Sequence, residues 1–86
     1  MGMMKRFDER ADLMGRMMRT VGAADGMPAD VTLGNTLRSA AQRCLGCEKP
    51  EACSHWLDDH QDGAARAPDY CPNADLFAEW SARAQG

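Results

Sequence analysis

Strand-forming chemistry is scarce in this chain of 86 residues. The β-branched residues are Val21, Val31 and the threonines Thr20, Thr32 and Thr36. No stretch alternates apolar with polar residues for long enough to make a strand, so the expected fold class is all-α. Long apolar runs are missing too. None approaches the roughly 20 residues that a bilayer span requires, and no membrane partner is expected. Positive charge is not in excess: Lys and Arg number 10 against 13 Asp and Glu, with a net charge of -3 and a pI near 5.2. That balance carries no general attraction for phosphate backbones or anionic lipid, so a nucleic-acid partner is not expected either. Lys5, Arg6, Asp8, Glu9 and Arg10 leave no apolar signal-peptide core in the opening segment. Arg6 also stands where a myristoylation pattern needs Ser or Thr. The expected location is the cytoplasm. Internal repeats and low-complexity tracts are absent, and one helical domain over residues 1–86 is the natural reading.

Four helices are expected. Phe7, Ala11, Met14, Met17, Met18 and Val21 recur at spacings of three and four, predicting a helix from about Arg6 to Val21 with these residues inward. Asp8, Glu9, Asp12, Arg16 and Arg19 form its outer face, with Asp12 and Arg16 spaced to pair. Gly22 is the expected stop. A turn-rich connection containing Pro28 leads to a second helix, Leu33 to Leu45, with Thr32 as its N-cap and Gly46 as its end. Leu33, Leu37, Ala40, Ala41, Cys44 and Leu45 share its inner stripe. A third helix is expected from Pro50 to Asp59, because proline suits a first helical position and Glu51 suits the dipole. A polar loop with Gly63 and Pro68 follows. The last helix starts near Pro72-Asn73 and runs to about Ala84, with Ala74, Phe77, Trp80 and Ala84 inward. The expected architecture is a small bundle of three to four helices pinned by a four-cysteine site. In it the cysteine loops join the second, third and fourth helices, and the first covers the core through its methionines.

So small a chain buries only roughly 60–65% of its unfolded surface, and such domains often recruit disulfides, metals or partners. The four cysteines fit that need. Their spacing is Cys44-x2-Cys47-x5-Cys53-x17-Cys71. A two-residue gap lets both sulfurs of a pair face one centre, and Gly46 makes the tight curl inexpensive. Cys53 in the first turn of the third helix and Cys71 just before the fourth would each face free N–H groups that favour a thiolate. Four thiolates cannot crowd together without a cation to neutralise them. Zinc and a [4Fe-4S] core both serve with four cysteines. Structural zinc sites usually come as two local pairs, whereas a local triplet with a remote Cys71-Pro72 is more usual for iron–sulfur ligation. The expected cofactor is a [4Fe-4S] cluster, with zinc as the alternative and disulfides or free thiols still open. A c-type haem site needs His after the second cysteine, where this chain has Glu48, and a thioredoxin-like pair needs a βαβ context that is lacking.

Two resemblances add to this. The stretch from Cys44 to Cys53 is similar to the C-x2-C-x5-C part of the iron–sulfur loop in endonuclease III-type DNA glycosylases. In that family the remaining cysteine lies upstream, whereas Cys71 lies downstream. The catalytic domain is absent, so the resemblance implies ligand geometry and not DNA repair. Over roughly positions 10 to 80 the chain also resembles a family of small uncharacterised bacterial four-cysteine helical proteins, carried as a domain of unknown function. The matching residues are Arg43-Cys44-Leu45-Gly46-Cys47, then Glu51-Ala52-Cys53 with Trp56-Leu57, then Tyr70-Cys71-Pro72-Asn73-Ala74 with Leu76-Phe77. That resemblance implies an all-helical fold with a four-cysteine site and no assigned activity.

Other chemistry-bearing residues have plainer readings. Four cysteines already complete a tetrahedral set, so His55 and His60 read as surface or hydrogen-bonding residues, with His55 the nearer substitute ligand. Asp58, Asp59 and Asp62 read as a solvated helix end and loop rather than a hard-cation or acid–base group. Met14, Met17 and Met18 sit at core spacing, and packing outweighs a Cu(I) role. Trp56 and Trp80 read as core anchors. Arg16, Arg19, Arg38 and Arg43 read as scattered surface charges, with Arg43 and Lys49 able to soften the charge of the cysteine site. No nucleophile, base or substrate pocket is indicated, so no catalytic residue and no enzyme activity are expected. The expected function is a small metal- or iron–sulfur-binding protein for electron transfer or redox or metal sensing, held by Cys44, Cys47, Cys53 and Cys71. The other class is a protein-interaction module, stapled by zinc or disulfides, that binds a protein partner through an exposed helix face.

Overall fold

Four helices and one short 3₁₀ turn make up this computed structural model, which describes the backbone of residues 2–85 and the side chains of 8–85. They are α1 (Gly2–Thr20), the 3₁₀ turn (Ala24–Gly26), α2 (Leu33–Leu45), α3 (Pro50–Asp59) and α4 (Ala74–Gln85). No strand occurs among the described residues, as the scarcity of β-branched residues predicts. The side chain of Phe7, expected inside α1, lies outside the described residues.

Each end has a local cause. α1 closes in a Schellman turn: Gly22 takes φ 76°, its N–H donates to the Arg19 carbonyl at 3.2 Å, and the Ala23 N–H donates to the Met18 carbonyl at 2.8 Å. Only glycine takes that backbone conformation freely. α2 starts differently from the expected Thr32 cap. Thr32 holds the N-cap position, but its side chain makes no capping bond. Instead the Asp30 carboxylate accepts from the Thr32 N–H at 2.9 Å and from its hydroxyl at 2.7 Å. Those two bonds hold the Asp30 carboxyl below its usual range. α3 begins at Pro50 as expected. α4 begins at Ala74, after Pro72-Asn73 rather than within it, with the Phe77 N–H donating back to the Asn73 carbonyl at 2.9 Å.

The helices meet in an order that differs from the expectation for α1. α1 packs against α2, α3 and the 3₁₀ turn, while α4 packs on the 3₁₀ turn. α1 is therefore the hub of the molecule rather than a cover over three helices joined elsewhere. Its buried stripe is Arg10, Met17 and Met18, continued by Val21 in the closing turn and flanked by the half-buried Leu13 and Met14. This face is turned slightly from the expected one, so Ala11 is exposed while Arg10 is buried. The core gathers Met17, Met18, Val21, Ala23, Leu57, Ala67, Phe77 and Trp80. Phe77 and Trp80 lie with ring centroids 6.0 Å apart, tilted at 34°, a favourable aromatic arrangement. Ala84, expected inward, is exposed near the end of α4.

Two ties close the structure. The 3₁₀ turn presses on α4 so tightly that a Cβ built on Gly26 would stand 1.6 Å from the Trp80 carbonyl oxygen, and Arg83 Nε donates to the Gly26 carbonyl at 3.1 Å. Between α1 and α3, Arg16 pairs with Asp58 at 3.0 Å, not with Asp12 one turn away.

Candidate functional site

The four cysteines come from three separate segments. Cys44 lies in the last turn of α2, and Cys47 follows directly, its N–H donating to the Cys44 carbonyl at 3.1 Å. Gly46 between them has φ -84°, so the curl proceeds through ordinary right-handed backbone and does not use the freedom of glycine. Cys53 is the fourth residue of α3, and Cys71 sits in the turn before α4. The Cys71 N–H donates to the Pro68 carbonyl at 2.9 Å, and its own carbonyl accepts from Ala74 at 3.1 Å.

All four thiols are free and half-buried. All four line one cavity of about 30 Å³, walled by Leu13, Met14, Met17 and Phe77 and bordered by Tyr70 and Asn73. That is enough room for a water molecule. Among the described residues no three His, Cys, Asp or Glu side chains are grouped as a site for a metal ion. The sulfurs thus share a cavity without converging on a point within it.

Electrostatics at the cluster follow burial first. Burial pushes Cys53 up to about 11, with repulsion from Cys71, Cys44 and Cys47 adding to it. Cys44 is raised by burial and by Cys47 and Cys71, against the pull of the Arg10 guanidinium. Cys71 is raised by burial and by Cys47, against a hydrogen bond from the Asn73 N–H. Tyr70 at the rim is raised by burial and by Cys53, Cys47 and Cys71. The expected help from a helix N-terminus is therefore present at Cys71 but is outweighed, and at Cys53 burial and neighbouring sulfurs prevail. Without a cation, Cys44, Cys53 and Cys71 are all held toward the neutral thiol.

Two buried polar residues hold the segments that carry the cysteines, Asn73 at the edge of the cavity and Arg10 behind the loop from Cys44 to Cys47. Arg10 is 9% exposed. Its Nη1 donates to the Cys44 and Cys47 carbonyls at 2.8 Å each and to the Leu45 carbonyl at 3.4 Å. In return the Cys44 thiol donates to the Arg10 carbonyl at 3.4 Å. Asn73 is 2% exposed; its Nδ2 donates to the Ala40 carbonyl at 3.0 Å and its Oδ1 accepts from Arg43 Nη1 at 3.4 Å. Arg10 thus ties α1 to the loop between Cys44 and Cys47, and Asn73 ties the start of α4 to α2. The sole sequence-level hint at Arg10 is its spacing of three, four and seven from Leu13, Met14 and Met17.

The remaining candidates fall elsewhere. His55 is exposed. His60 Nδ1 lies 2.7 Å from the Trp56 carbonyl, and its ring stacks on Trp56 at 4.1 Å. Neither histidine lines the cysteine cavity. Asp58 pairs with Arg16, while Asp59 and Asp62 are exposed. Trp80 is in the core and Trp56 packs against it. Arg19, Arg38 and Lys49 are exposed, and Arg43 reaches Asn73. No helix among the described residues is long and apolar enough to cross a membrane.

A family model, described as a family of unknown function, matches residues 1–83. No curated protein and no solved structure matches the chain.

Proposed function

The chain belongs to this family of unknown function, DUF6455, and we propose that it is a small metal- or iron–sulfur-binding protein serving in electron transfer or in redox or metal sensing. Cys44, Cys47, Cys53 and Cys71 are the ligands in this reading, and a [4Fe-4S] cluster is the cofactor. One observation carries it: four reduced cysteines from three segments line a single small cavity with an apolar wall. Burial and mutual repulsion make four thiolates untenable there alone, and a positively charged core is the group that would relieve both.

The cluster is preferred to zinc on the spacing of three local cysteines and one remote Cys71-Pro72. The likeness of Cys44 to Cys53 to the iron–sulfur loop of endonuclease III-type glycosylases points the same way, with the fourth cysteine downstream instead of upstream. A cluster bound there would supply one-electron chemistry. The chain's own part would be to hold it by four thiolates and to keep water off it with Leu13, Met14, Met17 and Phe77. Free thiols are also what a reducing compartment such as the cytoplasm maintains.

The small cavity volume of about 30 Å³ favours a second reading, a structural zinc that staples a module for binding a protein partner. Zinc needs all four sulfurs about 2.3 Å from one point, so they would have to close inward. Anaerobic purification with a visible spectrum and iron and zinc analysis on one sample tests the choice. Brown protein with about four irons per chain supports the cluster, and colourless protein with one zinc supports the staple. Protein with neither metal, which also takes up neither on reconstitution, removes both readings.

A further inference from the structure

Arg10 is the one charged side chain that is buried among the described residues. Burying a charge is costly unless an opposite charge meets it. The ion pairs among the described residues join Arg16 to Asp58 and Arg66 to Asp75, and none reaches Arg10. Its neighbours Asp8 and Glu9 are exposed. What meets the guanidinium is backbone: the carbonyls of Cys44, Leu45 and Cys47, which belong to the loop that carries two of the four sulfurs. The carbonyl dipoles accept from Nη1 but supply no full opposing charge. The cysteine side chains stand next to it: Arg10 Nη1 holds the carbonyls of Cys44 and Cys47 at 2.8 Å each, and the Cys44 thiol donates to the Arg10 carbonyl at 3.4 Å.

We infer that Arg10 is the counter-charge and positioning residue of the cysteine centre, a built-in cation that balances a net-negative four-thiolate complex while holding the loop from Cys44 to Cys47 in its ligating shape. This rests on the metal reading of the four cysteines. Four thiolates around a divalent metal or a dicationic cluster leave a net negative charge, which supplies the partner that Arg10 otherwise lacks. The direction of α1 makes this possible. Arg10 lies on the same helical face as Leu13, Met14 and Met17, so the wall of the cavity and the cation beside it come from one rigid element. An Arg suits the role because its Nη1 reaches the loop carbonyls while the guanidinium remains charged at every relevant pH. A centre that gains an electron gains negative charge, so the same cation would also hold its potential up.

The test uses the full chain, anaerobic and reduced, with Co²⁺ as the probe, read by thiolate-to-cobalt absorption in wild type, Arg10→Gln and Arg10→Lys. Far-UV circular dichroism of each metal-free protein checks the fold. Wild type should bind. Arg10→Gln should bind roughly ten- to a hundredfold more weakly, the scale on which one charge acts through partly buried protein. Arg10→Lys, which keeps the charge and loses the fork, should recover most of that loss. In protein reconstituted with iron and sulfide, Arg10→Gln should show a lower midpoint potential and Arg10→Lys one near wild type, a pattern that a merely structural role would not produce. If Arg10→Gln does not fold, Arg10→Lys carries the test, with near-wild-type binding supporting the inference and lost binding overturning it. Equal binding in Arg10→Gln and wild type overturns this inference alone, as does equal loss in both variants. A wild type that takes up neither cobalt nor iron overturns the metal reading and this inference with it.

Discussion

Replacing Gly26 with alanine should damage the molecule far more than its small size suggests. A Cβ at this position would stand 1.6 Å from the Trp80 carbonyl oxygen, 2.6 Å from the Trp80 carbonyl carbon and 3.0 Å from the Ala84 nitrogen. All three atoms are backbone, so no side chain can swing aside. Restoring an ordinary contact of 3.4 Å requires a retreat of about 1.8 Å between the 3₁₀ turn and α4. That movement would loosen Trp80 and Phe77, which are 2% and 1% exposed, and would stretch the 3.1 Å bond from Arg83 to the Gly26 carbonyl. Overpacking a core typically costs about 1–3 kcal/mol, and a clash with immovable backbone belongs at the top of that range. At about 4–8 °C per kcal/mol for a domain of this size, the melting temperature should fall by roughly 12–24 °C. Gly34 is the matched control: it is exposed within α2 and nothing lies within 4 Å of a Cβ built there. Alanine at that position should stabilise by about 0.5–1 kcal/mol through helix propensity and a stiffer unfolded chain. Thermal melts of the metal-free proteins, followed by far-UV circular dichroism, read both effects. Should Gly26→Ala melt within a couple of degrees of wild type, the docking of the 3₁₀ turn on α4 is wrong.

Asn73→Ala should cost about 0.5–1.5 kcal/mol in urea unfolding, because it removes a buried hydrogen bond to the Ala40 carbonyl, which keeps its intrahelical donor; wild-type stability would show that this bond does not tie α4 to α2. The Arg16–Asp58 pair is partly exposed, so a double-mutant cycle should return no more than about 1 kcal/mol, and a much larger coupling would mean the pair is shielded from water. The cysteines predict an alkaline weakness of the metal-free protein. Cys53 is raised from 9.0 to about 11, so the folded state holds that proton more tightly than the unfolded chain does. The corresponding stability is complete below pH 9 and is lost as pH rises through 11. Melting temperature should fall over that interval, Cys53→Ser should flatten the fall, and metal-loaded protein should not share it, since its thiols are already deprotonated. An identical decline in Cys53→Ser would show that other groups cause it.

The parts of this fold written in local chemistry were legible before the structure. α2 and α3 have their expected limits, and the start of α3 has a local cause in Pro50, which suits a first helical position. The stop at Gly22 is legible for the same reason. The tertiary facts were not. Gly26 gives no sign in the sequence that α4 lies against it, and the 3₁₀ turn around it has no periodicity to detect. Arg10 was hidden by its own type: an arginine beside Asp8 and Glu9 reads as solvent-facing, and only the nearby loop from Cys44 to Cys47 explains its burial. A shift of the buried face by about one residue then exchanged Ala11 for Arg10. Thr32 takes the expected N-cap position, but Asp30, two residues earlier, holds its hydroxyl and so removes the capping bond. The cysteine spacing set out an expectation about ligands. It did not foretell that α1 would supply the cavity wall, since that depends on α1 being the hub.

The central claim is that Cys44, Cys47, Cys53 and Cys71 act as one ligand set. The most direct measurement is metal content per chain, by elemental analysis after anaerobic reconstitution, in wild type and in the four single Cys→Ser variants. A stoichiometric metal in wild type, with a marked loss in every one of the four variants, is the result this account predicts. Wild type without metal, or a wild-type load retained by all four variants, would contradict it.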